Sequence, residues 1–187
     1  MPDTLNMRLF VRLFIFLFLL FAIHYSLFTS KAYAEGEFTT DYAVTYDITT
    51  TGQANVSQKI VLTNNTANYY ADKFELKIGS TKVENVKATD ETGDLETGVK
   101  FENNVTVISV KFNQKVIGIS KKLNWNLTYT SRELATKSGQ IWEISIPRIA
   151  SSPDIGNYDA TIKVPRKFGP AAFTLPQPKF QKQSSTG

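Results

Sequence analysis

The segment KLNWNLTYTSRELATKSGQIWEISIP, residues 122–147, decides the fold class of this chain. Apolar and polar residues alternate at both of its ends, and each alternating run contains one of the two tryptophans, Trp125 and Trp142. Strict alternation predicts β-strands with one buried face, and large aromatic rings bury the most apolar area. We therefore expect both rings at the centre of a sheet-built core, with ligand stacking on either ring as the alternative. The predicted core residues are Trp125, Trp142, Phe74, Leu127, Ile144 and Phe112.

Similar alternating runs recur along the chain between turn residues. Strands are predicted near residues 42–49, 56–62, 70–78, 82–88, 95–102, 105–113, 123–129, 141–146 and 158–164, with a weak edge strand within 114–122. One helical turn is predicted within 131–138. Many short strands with almost no helix predict an all-β antiparallel sandwich, immunoglobulin-like or related, over residues 35–166. A closed barrel is the alternative.

The N-terminal residues 1–34 have the composition of an export signal. Arg8 and Arg12 form a basic region, residues 13–28 an apolar region, and Ala32-Tyr33-Ala34 an A-x-A cleavage site before Glu35. The alternative is an uncleaved membrane anchor at residues 13–30, since an apolar run of about 20 residues spans a bilayer. Either interpretation predicts an exported, extracellular or cell-surface protein.

Residues 167–187 have the composition of a linker or tail. Pro170, Pro176 and Pro178 interrupt any regular element, and the last residues are polar. Without residues 1–34 the chain has 18 Lys and Arg against 16 Asp and Glu. So small an excess does not favour nucleic-acid binding, which depends on clustered positive charge.

The residues that drive most enzyme chemistry are scarce in this sequence. His24, in the predicted signal, is the single histidine, and there is no cysteine. This excludes Ser-His-Asp and Cys-His nucleophiles and zinc sites with His or Cys ligands from residues 35–187. We therefore predict no catalytic, cofactor-binding or metal-binding residue and no cofactor, with a carboxylate glycosidase as a weaker reading.

Two acidic turns and four sequons are candidate sites. The turn 90–94 with Glu96, and Asp154 and Asp159 around Gly156, could supply oxygens for calcium, but neither has the spacing of a dedicated loop. Each is interpreted as a solvated turn. The N-x-S/T sequons, which would matter only in a glycosylating host, start at Asn55, Asn64, Asn104 and Asn126.

Several segments together resemble a known kind of domain. These are GQIWEISIP at 139–147, residues 158–164 followed by Phe168-Gly169-Pro170, and FTTDY at 38–42 leading to LTNN at 62–65. They resemble the exported N-terminal β-domain that precedes a transglutaminase-like, papain-type module in bacterial proteins. In that family the Cys, His and Asp of a later module do the catalysis. The resemblance therefore implies a non-catalytic domain and carries no catalytic residue onto this chain.

Two functional classes follow from these observations. The first is an exported, non-enzymatic module that positions or binds an unknown protein or cell-envelope partner, with membrane contact only through the N-terminal segment. The alternative is a stand-alone adhesion or carbohydrate-binding module that uses Tyr69, Tyr70 or Tyr129 as a stacking platform.

Overall fold

Residues 36–79, 81–147 and 154–182 are described by the computed structural model of this chain. They are almost entirely β-structure, as the alternating sequence predicts. The predicted signal, with Ala32, Ala34 and Glu35, and the alternative anchor at 13–30 lie outside the described residues. The elements are β1 (Phe38–Ile48), β2 (Ala54–Asn64), β3 (Tyr70–Gly79), β4 (Glu84–Asp90), β5 (Gly93–Glu102), β6 (Val105–Ile117), β7 (Lys122–Ser131), β8 (Ala135–Ser138), β9 (Ile141–Ile144), β10 (Ile155–Lys163) and a 3-10 turn at Arg166–Phe168.

Eight of these strands form one sheet, in the order β10-β1-β2-β7-β4-β5-β6-β3, and β8 pairs with β9 in a separate two-stranded sheet. The large sheet is mixed, because β10 runs parallel to β1 while the other strand pairs are antiparallel. The expectation of a purely antiparallel arrangement is therefore wrong at this edge. Alternation indicates which face of a strand is buried, but it does not indicate the direction of the neighbouring strand.

The large sheet curls at β5, which changes its partner along its length. Residues 93–95 pair with β4, whereas residues 96–102 pair with β6. The inner faces of β3 and β6 thereby meet the inner face of β7. The ring of Trp125 on β7 lies edge-on to Phe74 of β3, at 5.3 Å between centroids, and to Phe112 of β6, at 5.9 Å.

The predicted core residues divide into two groups. Trp125, Leu127 and Phe112 are buried, with exposed fractions of 2%, 0% and 6%, and Phe74 packs half-buried against them. Trp142 and Ile144 lie instead on β9, outside the large sheet, and are half-buried at the margin of the core. The chain leaves the sheet after β7 and forms the β8–β9 hairpin. This hairpin replaces the helical turn predicted at 131–138.

Trp142 covers the turn between β1 and β2. Its ring stacks on Phe168 at 4.3 Å between centroids with an interplanar angle of 11°. The ring also lies close to Gly52, whose φ is +88° and whose position for a Cβ is 2.5 Å from a carbon of the Trp142 ring. The glycine thus permits both the turn and the close approach of the ring.

Buried hydroxyls join β6 to the end of β7 across the curled sheet. The Thr81 and Ser131 hydroxyl oxygens are 2.9 Å apart, and the Thr106 hydroxyl donates to the Thr81 carbonyl at 2.5 Å. All three residues are at most 2% exposed. Because a buried polar group is costly unless it is paired, these bonds fix how β6 lies against β7.

Residues 169–182 contain no strand, in keeping with their proline content. Three of their large apolar side chains are strongly exposed: Phe173 at 80%, Leu175 at 74% and Phe180 at 80%. In the described ranges, no helix has both the length and the apolar character that crossing a bilayer requires.

Candidate interaction surface

Two tyrosines and two isoleucines are exposed together where β3 begins and β6 ends. Tyr70 pairs with Ile117 across the two strands. The exposed fractions are 55% for Tyr69, 50% for Tyr70, 59% for Ile117 and 62% for Ile119. We refer to these residues, together with Lys115, as the Tyr70 patch. Exposed aromatic and branched apolar side chains in one place are typical of an interaction surface.

Asn64, at the end of β2, holds both segments of the Tyr70 patch from beneath. Its side-chain Nδ2 donates to the carbonyl of Tyr69 at 2.8 Å and to the carbonyl of Val116 at 3.0 Å. Its Oδ1 accepts from the Thr66 amide at 2.8 Å. Asn64 is 0% exposed, so the bonds are made away from water. The patch is therefore positioned by a buried and satisfied amide.

The turn that follows β6 is also tied to Asn64. The Ser120 amide donates to the Asn64 carbonyl at 2.7 Å, and the Asn64 amide donates to the Lys121 carbonyl at 2.9 Å. Ser120 and Gly118 both have positive φ, at +62° and +98°. These bonds anchor the short loop that carries Ile119.

Lys115 contributes a positive charge to the Tyr70 patch. Its Nζ lies 4.1 Å from the centroid of the Tyr70 ring, a cation–π geometry. The interaction orients the tyrosine ring while leaving half of it exposed. The patch thus combines an apolar surface with an adjacent cation, which suits a partner with an acidic or hydroxyl-rich surface.

Tyr129 is buried, at 2% exposure, and belongs to a group of core tyrosines. Its hydroxyl accepts a hydrogen bond from Gln58 Nε2 at 3.4 Å, and the hydroxyls of Tyr46 and Tyr158 are 3.2 Å apart. Burial raises the pKa of Tyr42 to about 12 and also raises the pKa values of Tyr46, Tyr129 and Tyr158. Desolvation disfavours the phenolate, so these hydroxyls stay protonated at neutral pH.

The acidic turns make local contacts. Asp90 Oδ1 accepts from the Thr92 amide at 2.7 Å, Asp94 pairs with Lys87 at 3.1 Å, and Glu96 pairs with Lys111 at 3.5 Å. The pKa of Asp159 is lowered, first by a hydrogen bond from Asn157 and then by Lys179. Within the described part of the chain, no three His, Cys, Asp or Glu side chains lie close enough together to hold a metal ion.

The outer face of β1, β2, β7 and β4 is polar and holds two shallow depressions. One, of about 380 Å³, is lined by residues that include Lys59, Asn124 and Asn126. The other, of about 440 Å³, is lined by residues that include Asp47 and Asn55. The sequon residues Asn55 and Asn126 are exposed on this face, and Asn104 is exposed in the β5–β6 turn. Asn64 is buried, so the folded domain does not present it for glycosylation.

Sequence reasoning identified part of the Tyr70 patch. Tyr69 and Tyr70 were candidates because they are adjacent aromatics at the start of a predicted strand. Ile117 and Ile119 were assigned to a connection with a weak edge strand, and Lys115 was not singled out. The sequence signal for this missed part of the patch is a pair of isoleucines, Ile117 and Ile119, around Gly118 within a polar segment.

Comparison with known proteins identifies no family for this chain. No protein-family model and no curated protein matches it. Among solved structures it is similar to yeast LTA4 hydrolase, with 10% identity, a TM-score of 0.37, and coverage of 55% of this chain and 17% of that chain. It is also similar to an M1 zinc metallopeptidase from Deinococcus radiodurans, with 13% identity, a TM-score of 0.34, and coverage of 59% and 25%. The chain thus spans a quarter or less of these proteins, and likenesses at such TM-scores carry no argument about its function.

Proposed function

We propose that this chain is an exported, non-catalytic β-module whose Tyr70 patch binds a protein partner at the cell surface. The observation that carries the proposal is the combination of exposed and fixed residues. Tyr70 and Ile117 are half or more exposed, while the backbone beneath them is held by the buried side chain of Asn64. A preorganised apolar surface loses less conformational entropy on binding than a flexible one.

The chemistry of the sequence supports a non-catalytic role. Residues 35–187 contain neither histidine nor cysteine. The tyrosines whose pKa values are raised lie in the core, where they take part in packing. The purified chain is expected to show no hydrolysis and no acyl transfer, and turnover abolished by replacing one of its acids would overturn this part of the proposal.

The resemblance to the β-domain of transglutaminase-like proteins suggests which partner to test. We propose a transglutaminase-like, papain-type module, on the same polypeptide or on another protein, as the partner. Export would depend on residues 1–34, either as a cleaved signal or as an anchor at 13–30. The mass of the mature protein from an exporting cell distinguishes these two outcomes.

The curled sheet also supports a finer description of the fold. We propose that the curled sheet forms a two-layer β-sandwich, with β3 and β6 in one layer and β2 and β7 in the other. The edge-on contacts of Trp125 with Phe74 and Phe112 support this arrangement, since they join inner faces of strands that are distant in the sheet order.

Site-specific photocrosslinking tests the proposed interaction surface. A photoreactive phenylalanine analogue at Ile119 is expected to give one discrete adduct in the envelope of the exporting host. The same analogue at Lys77, which is exposed on β3, is the control and is expected to give none. Tyr70→Ser should remove the Ile119 adduct. Equal labelling from both positions, or labelling that survives Tyr70→Ser, would show that the patch does not bind a partner.

Carbohydrate binding is a second candidate, and the exposure of Tyr69 and Tyr70 favours it. Aromatic rings can stack on sugar faces, and Lys115 offers a hydrogen-bond donor beside Tyr70. Tyr129 is not part of this platform because it is buried. A glycan array probed with the purified chain should retain a ligand that Tyr70→Ser loses. An array on which no glycan is retained would exclude this candidate.

A further inference from the structure

The strand β10 forms an edge of the large sheet with one side open. Among the strands of the described residues, β1 is its sole neighbour. Edge strands present unpaired backbone N–H and C=O groups, which can pair with another strand. The apolar face of β10 is also incompletely covered, since Ile162 and the following Val164 are each 47% exposed.

The side chains of β10 divide cleanly between the two faces of the sheet. The register with β1 places Asp159, Thr161 and Lys163 beside Ala43, Thr45 and Asp47 on the polar outer face. Tyr158, Ala160 and Ile162 lie beside Tyr42, Val44 and Tyr46 on the apolar inner face. The side chains of any strand added at this edge would contact both of these sets of side chains.

The sequence of β10 is complementary to itself when reversed about Thr161. Two antiparallel copies centred there would place Asp159 opposite Lys163 of the other copy, and Lys163 opposite Asp159. On the inner face, the small Ala160 would meet Ile162, and Tyr158 would meet Val164. Opposite charges and aromatic–β-branched pairs are favourable cross-strand neighbours.

We propose that two copies of this chain associate through antiparallel pairing of their β10 strands, with a two-fold axis at Thr161. The occupant of the open edge is thus a second copy, because a two-fold axis requires a surface that complements itself. The charge pattern specifies the register, and the pairing covers the exposed faces of Ile162 and Val164. This surface is distinct from the Tyr70 patch, so the inference stands apart from the proposed function.

Among the described residues, Asn157 donates to Asp159 Oδ2 at 2.9 Å, and Lys179 is the cation that pairs with Asp159. Its Nζ lies 3.6 Å from Asp159 Oδ1, and both side chains are largely exposed, at 87% and 61%. An exposed pair of this kind contributes little stability. Lys163 of the second copy can therefore replace Lys179 at little cost. Accordingly, Lys179→Ser is expected to leave the association undiminished.

A cysteine at the two-fold axis tests the proposal directly, because the natural chain has no cysteine. In the full-length Thr161→Cys variant, the two Cα atoms would lie about 4.5–5.5 Å apart, as directly opposed antiparallel residues do. This separation falls within the range for a disulfide. Mild oxidation with copper phenanthroline should convert most of the chain to a dimer on a non-reducing gel.

Thr128→Cys is the matched control for random collisions. Thr128 is exposed on the same outer face but lies on β7, in the interior of the sheet. Its counterpart in the second copy would be several strand spacings away, far beyond disulfide range. The expected initial rate of cross-linking is at least about tenfold higher for Thr161→Cys. Equal rates for the two variants would overturn the proposal.

Charge reversal then tests the register. In the Thr161→Cys background, Asp159→Lys would place a lysine opposite Lys163 of the other copy, and does so twice because of the two-fold axis. The repulsion should lower the cross-linking rate several-fold. Adding Lys163→Asp restores opposite charges and should restore the rate. Both positions are exposed, so neither change disturbs the core. A rate that does not fall, or that falls further in the double charge variant, would contradict the pairing about Thr161.

Discussion

At the scale of single residues, Asn64 explains why irregular segments at one end of the sheet have a defined structure. Its side chain hydrogen-bonds to the carbonyls of Tyr69 and Val116 and to the amide of Thr66. Asn64 is in phase with the buried Ile60 and Leu62 of β2, and in this it differs from Asn65, its neighbour in the sequence. The difference arises from burial, because Asn64 faces the core while Asn65 bonds at the surface to Gly36 and Thr39.

Replacement of Asn64 by alanine should therefore destabilise the domain strongly. The variant removes the donor to the buried Val116 carbonyl and to the part-buried Tyr69 carbonyl, which should cost on the order of 3 kcal/mol of unfolding free energy. Asn65→Ala, the matched control, should cost about 1 kcal/mol or less, because its freed groups can bond to water. Urea unfolding of both variants measures the difference. Similar losses of unfolding free energy in the two variants would show that burial of the Asn64 side-chain amide does not account for its contribution.

At the scale of elements, the β8–β9 hairpin acts as a small cap over the β1–β2 turn. The Trp142 ring lies against Gly52 and stacks on Phe168, and the stack links the hairpin to the segment after β10. The cap consists of short elements that make little sheet pairing of their own. Besides the buried Leu134 and Ala135, the cap is held by this aromatic contact, which the absence of a side chain at residue 52 permits.

Gly52→Ala should displace the cap. A Cβ at residue 52 would meet the Trp142 ring at 2.5 Å, in addition to the strain of positive φ. Gly139→Ala is the control, since it has φ of +62° with no atom within 4 Å of its Cβ position. The strain alone should cost about 1 kcal/mol in each variant. Gly52→Ala should lose more unfolding free energy than Gly139→Ala. It should also change the near-ultraviolet circular dichroism of tryptophan, which Gly139→Ala should leave unchanged.

The elements themselves could largely be predicted, because the period-two pattern that defines a strand is local. The β8–β9 hairpin was missed at β8, since Glu133, Leu134 and Ala135 are good helix formers in a stretch without alternation. Tyr129 was considered as an exposed platform, although it is in phase with Trp125 and Leu127 and is buried with them. The partners of β10 and Asn64 could not be predicted, because they depend on contacts far apart in the sequence.

At the scale of the whole molecule, the tyrosines of the core link stability to alkaline pH. Burial raises the pKa of Tyr42 from 10.0 to about 12, and raises those of Tyr46, Tyr129 and Tyr158. A group whose pKa is higher in the folded state than in the unfolded state stabilises the fold below its unfolded pKa. That stabilisation is lost as the pH rises through the folded value. Stability should therefore decline from about pH 10 upwards.

Spectrophotometric titration at 295 nm tests this expectation. Phenolate absorbance from the core tyrosines should appear together with the loss of β-structure, as measured by far-ultraviolet circular dichroism. Tyr46→Phe removes one of these groups and should reduce the slope of unfolding free energy against pH above pH 10. A slope unchanged by Tyr46→Phe, or full ionisation of the tyrosines while the sheet remains intact, would contradict the assignment.

The parallel pairing of β1 with β10 ties the start of the domain to its end. The Tyr46 and Tyr158 hydroxyls that meet there are 112 residues apart in the sequence. Closing so long a loop delays folding. During synthesis from the N-terminus, the chain cannot complete this pairing until residue 163 has been made. Until then one edge of β1 stays unpaired, so a ribosome-bound chain would carry an open strand edge for most of its synthesis.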